Sequence, residues 1–154
     1  MEQKEISASI IANFFLSLSE PEIGDFISNL KVQKLVYYAQ GFHLAMFDQP
    51  LFLDPIYAWE HGPVVPTLYH HFKRNGSEAI PLPTEDEAED FSLLSQDQKE
   101  LLHEVYTVYG QYSAWKLRNL THQEAPWIET TQNSEISHVL LQEYFQTLLI
   151  GTNE

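Results

Sequence analysis

This sequence predicts a mainly α-helical fold: a compact bundle of five to six helices with one small two-stranded β-hairpin. Three observations support this. Apolar residues recur at three- and four-residue steps along most of the chain. Residues that cap helices stand just ahead of those runs. A single β-branched and aromatic stretch, Ile56-Tyr57-Ala58-Trp59, interrupts them.

The first helix is expected from about Ser7 to Leu18, where Ile10, Ile11, Phe14, Phe15 and Leu18 share one face. Ser19-Glu20-Pro21 ends it, because proline cannot continue a helix. The second opens at Ser28 or Asn29 and reaches about Phe47. Leu35, Tyr38, Ala39, Phe42 and Met46 are placed on its buried face, with Val36 and His43 alongside. Gly41 inside it costs about 1 kcal/mol relative to alanine, so the close approach of another backbone is expected there. After the Asp48-Gln49-Pro50 turn, Ile56 to Trp59 reads as a strand, and Ala79-Ile80-Pro81-Leu82 as its partner, held to an edge by Pro81. Gly62 allows a sharp turn, and Pro63 presets the first φ of a third helix running through Phe72. Asn75-Gly76 is the expected stop.

Ser95 and Gln98 form a capping-box pattern opening a fourth helix, with Leu101, Leu102, Val105 and Val108 inward and a stop at Gly110. Ser113 caps a short fifth helix through about Leu120. Ser134 is expected to cap the last, whose core face reads Ile136, Val139, Leu140, Tyr144 and Leu148.

A length of 154 residues suits one domain, taken as 1–150, with 151–154 fraying at the end. A chain of this size needs no disulfide or metal to fold. Its 44% hydrophobic and 13% aromatic content supports a packed core. The absence of cysteine removes thiolate zinc sites and thiol nucleophiles, and fits a reducing cytosol. The formal charge of −14 argues against direct nucleic-acid binding, which relies on clustered lysine and arginine. A cationic protein is its natural complement. The N-terminus lacks a charged and apolar leader pattern, and no apolar run is long enough to span a membrane. A cytoplasmic protein is expected.

Seven histidines raise a metal site, including His61, His70, His71 and His122. However, no H-E-x-x-H spacing occurs, and adjacent histidines on a helix diverge by about 100°. Structural or surface histidines are the preferred reading, with no metal or cofactor. Glu60-His61 beside Gly62-Pro63 could form an acid–base pair, which requires both groups within reach of a substrate. No nucleophile elbow, phosphate loop or dinucleotide fingerprint accompanies them. A strand-to-helix corner whose polar side chains satisfy loose backbone groups is preferred. Most of Tyr37, Tyr38, Tyr106, Tyr109, Tyr112 and the three tryptophans should be core, with the remainder free to anchor a partner. The acidic run Glu85 to Asp90 suits equally a solvated loop and a contact with a basic partner.

Three blocks carry a family resemblance. Leu30-Lys31-Val32-Gln33-Lys34-Leu35-Val36-Tyr37-Tyr38-Ala39-Gln40-Gly41 is the first. Pro50-Leu51-Phe52, followed by Ala58-Trp59-Glu60-His61-Gly62-Pro63-Val64-Val65-Pro66 and a helix bearing Tyr69 and Phe72, is the second. Thr121-His122-Gln123-Glu124-Ala125-Pro126-Trp127 is the third. In this order they resemble the SocA-like antitoxin (Panacea) domain, a family that also includes phage-associated proteins of the GepA type. The resemblance implies a helical domain, not an enzyme, that neutralises a protein toxin encoded beside it by direct contact. Family toxins include relatives of small alarmone synthetases, and one member delivers its toxin to the ClpXP protease.

The expected contact lies on two turn-rich segments that set a large ring beside polar groups. One is the corner of Trp59, Glu60, His61, Gly62, Pro63, Val64 and Val65 with nearby Tyr69; the other carries His122, Glu124 and Trp127. Alternatives of other classes are a proteolytic adaptor for a ClpXP-type protease, a small enzyme using Glu60, His61, His122 and Glu124, and a phage accessory interaction protein. No DNA-binding segment is visible, and the chain after Thr130 matches no signature of the family.

Overall fold

A computed structural model of the chain describes residues 5–84 and 91–151. The acidic run Glu85 to Asp90 and residues 152–154 therefore lie outside the described residues, while Gly151 still belongs to the last helix. The helices are α1 (Ala8–Leu18), α2 (Asn29–Phe47), α3 (Pro66–Phe72), α4 (Gln96–Tyr109), α5 (Ala114–Thr121), α6 (Ala125–Ile128) and α7 (His138–Gly151). Two strands, β1 (Tyr57–Trp59) and β2 (Gly62–Val64), make an antiparallel hairpin. The mainly helical fold with one small hairpin is as expected from the sequence, and the four-residue α6 is an addition to it.

The bundle is organised around α2, which touches α1, α3, α4, α5, α7 and β2. Every residue from Lys31 to Gly41 is buried, so this helix has no wet face. An apolar stripe therefore describes it poorly, and its polar side chains must find partners inside. They do so by fastening the irregular segments around them. The Gln33 amide accepts from Val65 N–H at 2.9 Å and donates to Asn29 Oδ1 at 2.9 Å. The Gln40 amide donates to the Phe52 carbonyl and accepts from Leu51 N–H, both at 2.7 Å. Met46, expected to be inward, is exposed and lines a hollow between α2, α4 and α7.

The caps expected at Ser95 and Ser113 are present, and the expected helix starts at Ser7 and Ser28 are capped as well. Ser7, Ser28 and Ser113 each accept from a backbone N–H three residues on, and Ser95 with Gln98 completes a capping box. Gln98 also donates to His43 Nε2 at 3.2 Å, tying the start of α4 to α2. His43 donates from Nδ1 to the Gln49 carbonyl, and burial holds its ring below the ordinary histidine value.

Several local expectations are corrected. The strand partner of β1 is Gly62–Val64, paired as Tyr57↔Val64, Ala58↔Pro63 and Trp59↔Gly62, and not 79–82. A two-residue turn closes this hairpin at lower entropic cost than a connection of some twenty residues would. Ile80 instead is buried and donates its N–H to the Ile27 carbonyl. Pro63 lies in β2, and Pro66 occupies the first turn of α3. Ser137, not Ser134, caps α7, accepting from Leu140 N–H at 3.1 Å. The N–H of Ile136 is fixed to the Ile56 carbonyl and the Ser134 carbonyl to Ala58 N–H, so the chain stays extended past Ser134. That delay rotates α7: Leu141 and Phe145 are its fully buried residues, and Val139 is 64% exposed. Val108 is likewise exposed at the end of α4.

Gly41 is explained by a ring, not by the backbone expected there. A Cβ at this position would collide with the Phe145 side chain. Gly41→Ala should therefore destabilise by about 1–3 kcal/mol despite the better helix propensity of alanine. Urea denaturation would measure this, and Phe145→Leu in the same chain should return part of the loss. A neutral Gly41→Ala would show that the ring can move aside.

Candidate protein-binding surface

The hairpin corner is built by groups from three directions. Glu60 and His61 form its tip, and Gly62 follows at φ 110°, a conformation that side chains with a Cβ rarely adopt. A Cβ at Gly62 would also lie 2.7 Å from Lys34 Cε and 2.8 Å from Thr121 Oγ1. Beneath it, the fully buried Lys34 donates from Nζ to the Pro63 carbonyl at 3.2 Å. Burial, aided by the Arg118 cation, lowers the Lys34 ammonium from 10.5 to about 7. Gly62, Pro63, Val64 and Val65 are all buried. Of these, Val64 alone reaches the cleft beside the corner; the other three frame it from within.

The closing block is fixed from below. Glu124 precedes α6, and its carboxylate accepts from Tyr37 O–H at 2.9 Å and Tyr38 O–H at 2.8 Å. Burial pushes the Glu124 carboxyl up from 4.5 to about 7, against the pull of the two hydroxyls. Trp127 donates from Nε1 to the Trp59 carbonyl at 2.8 Å, joining α6 to the hairpin. Its ring stacks on His122 at 4.0 Å and 12°. Burial, and then the charge of Arg118, lower the His122 pKa. His122 Nε2 is buried and has no hydrogen-bond partner among the described residues.

Three motif blocks far apart in sequence thus meet on α2. Gln40 reaches the Pro50-Leu51-Phe52 block, Gln33 and Lys34 reach the corner, and Tyr37 and Tyr38 reach Glu124.

Beside the corner opens a cleft of ≈ 920 Å³, walled by Trp59, Tyr69, Trp115 and Val64, with Glu60, His61 and Lys73 among its polar lining. Trp59 and Tyr69 meet edge to face at 5.2 Å. Of the residues expected at the contact, Trp59, Glu60, His61, Val64 and Tyr69 line this cleft; His122, Glu124 and Trp127 do not. The Glu124 carboxylate is instead engaged by Tyr37 and Tyr38. The His61 Nδ1 lone pair accepts from Arg118 Nε at 3.1 Å. Among the described residues, no group of three or more histidine or carboxylate side chains could hold a metal ion. Nor is any helix among them long and apolar enough to cross a membrane.

The sequence reading passed over Arg118 and gave Trp115 no particular role. Trp115 is 57% exposed, and the Arg118 guanidinium lies over its ring at 4.4 Å. Their three-residue spacing in α5 is the signal that points to this pair.

The fold is thus a helical frame whose buried polar groups fix an aromatic cleft and its rim. The family model for the SocA-like antitoxin, Panacea domain, matches residues 32–128. Antitoxin SocA of Caulobacter vibrioides (strain NA1000 / CB15N) is 31% identical over 142 residues, covering 82% of this chain and 71% of that relative. The chain belongs to the SocA-like antitoxin, Panacea domain family. No solved structure matches it.

Proposed function

We propose that this chain is the antitoxin of a toxin–antitoxin pair, and that it neutralises a cognate protein toxin, encoded beside it, by direct contact in the cytoplasm. The observation that carries this reading is the similarity to Antitoxin SocA, which extends over most of the chain. The cleft at the hairpin supports it, because Trp59, Tyr69 and Trp115 supply the ring-rich wall on which interfaces concentrate their energy. The charge of −14 supports it too, since an anionic surface accelerates encounter with a cationic partner. On this reading the chain makes and breaks no bonds and needs no cofactor.

The test is co-expression with the product of the neighbouring reading frame. Growth should stop with that product alone and recover when this chain is added. A neighbour that is harmless alone would refute the pairing. Trp59 is half-buried, so Trp59→Ala should stay folded yet lose rescue. A loss of about 3–5 kcal/mol in a thermal melt would reassign Trp59 to the core. Measuring toxin lifetime during rescue separates masking, in which the toxin persists, from delivery to a protease, in which it disappears.

A further inference from the structure

Although the chain carries 22 acidic residues, no carboxylate among the described residues pairs with Lys34 or Arg118 at the hairpin corner, where Glu60 stands at the tip. Arg118 donates to two neutral acceptors, His61 Nδ1 and Asn119 Oδ1 at 3.1 Å each, and lies against the Trp115 ring. The charges acting on the buried Lys34 and on His122 at this point are cationic, with Arg118 foremost. Glu60 is the one carboxylate among the lining residues of the cleft, and Lys73 stands with it. An anionic protein thus keeps a local positive focus beside an aromatic wall.

A guanidinium has five N–H groups, and Arg118 uses two of them here. Three N–H groups remain for a further acceptor, and a guanidinium stacked on an indole receives a carboxylate in its own plane. Because His61 Nδ1 accepts, the proton of the neutral ring is on Nε2, which adds a further donor at the rim.

Trp115 also lines a second hollow of ≈ 730 Å³, where Ile23 is 74% exposed and Phe26 47% exposed. The two hollows share Ser28, Ser77, Ala114 and Trp115, so they meet at the Trp115 ring over which Arg118 lies; Asp25 and Lys31 are the charged residues lining the second.

We infer that this surface receives an extended segment of the partner protein in which an aspartate or glutamate, flanked by apolar side chains, pairs with Arg118 while its neighbours fill the hollows on either side of Trp115. The inference deepens the antitoxin reading and rests on it for the partner's being a polypeptide. Long-range attraction to a cationic toxin and local capture of an acidic segment are compatible, because the first acts over a Debye length and the second at contact.

Two measurements test it together. The first uses a short end-capped peptide with one glutamate between leucine and isoleucine, its glutamine and lysine counterparts, and ATP, each titrated against the intact chain and followed by tryptophan fluorescence. The glutamate peptide should bind about ten-fold or more tightly than the glutamine peptide, and more weakly as salt rises. Arg118→Glu and Trp115→Ala should both remove binding while melting as the parent does. The second is the growth-rescue assay, in which the same two variants should fail.

Equal binding of the glutamate and glutamine peptides would overturn the inference, as would full rescue by Arg118→Glu. ATP displacing the peptide at equal concentration would also overturn it, by showing a general anion site. Should the parent chain itself fail to rescue while the peptides are still discriminated, the antitoxin reading falls and the preference of the groove stands.

Discussion

Phe145→Ala is expected to lower the stability of the chain by about 3–5 kcal/mol, the largest effect of any single truncation considered. The Phe145 ring is fully buried between α7 and α2. It meets Tyr37 at 5.5 Å, Tyr38 at 6.0 Å, Phe42 at 4.8 Å and Tyr144 at 5.1 Å, each time edge to face. Those aromatic contacts add to the area the ring removes from water. Its loss would also leave a cavity facing Gly41, which has no side chain with which to fill it. Tyr37 and Tyr38 hold Glu124, so the damage should spread to the closing block. A urea melt would report the lost stability, and a shift below about 1 kcal/mol would mean that α7 collapses onto α2 without the ring.

The second large effect is on the pH dependence of stability. Glu124, with its pKa near 7 when folded and 4.5 as reference, keeps a proton between those values that the unfolded chain has lost. The folded state then binds more protons, so this group's contribution is full below about pH 4.5 and lost as pH rises through 7. The change is roughly 3 kcal/mol, at about 1.4 kcal/mol per unit. Lys34 runs the other way, at about 7 folded against 10.5. Between those values the unfolded chain keeps the proton that the folded chain has released. Stability from this group is therefore full above about pH 10.5 and lost as pH falls through 7, by roughly 5 kcal/mol.

Together the two groups depress stability most near neutrality. Denaturation of the parent, Glu124→Gln and Lys34→Met across this range isolates each limb as a difference from the parent. The Glu124→Gln difference should vary on the acid side only, and the Lys34→Met difference on the alkaline side only. Differences that stay flat with pH would mean that neither group titrates far from its ordinary value.

The helices were legible wherever local physics specifies them. Serine caps at positions 7, 28, 95 and 113 act on a backbone N–H three residues away, and a single strip of sequence contains both partners. The stops at Ser19 and Gly110 were legible for the same reason. The pairing of β1 was not. A short apolar run does not state which neighbour it will meet, and closure by Glu60-His61 was decided by Gly62 lying over Lys34. The start of α7 was missed because it depends on a distant strand: Ile56 and Ala58 hold the chain extended until Ile136.

In the candidate site, the rings and polar turn residues at Trp59, Glu60, His61 and Tyr69 could be named from sequence, and they do line the cleft. That Gly62 to Val65 are buried could not be read, because the burial of a turn depends on what covers it. The Arg118–His61 contact was hidden in the same way, since the two residues lie far apart in sequence on different elements, whereas the Trp115–Arg118 spacing lies within α5.

By itself the sequence determined the helical class, the placement of most caps, the excess of negative charge and the three blocks that mark the family. Each is a property of neighbouring residues or of the whole composition, and so survives without coordinates. Only the tertiary structure decided that α2 runs through the middle of the bundle and that Gln33, Lys34, Tyr37, Tyr38 and Gln40 serve as its internal fasteners. It also decided that Arg118 lies over Trp115 at the edge of the aromatic cleft and donates to His61 and Asn119, with no carboxylate among the described residues paired to it. The reason is physical: a buried polar group must be paired, and its partner can come from anywhere in the chain.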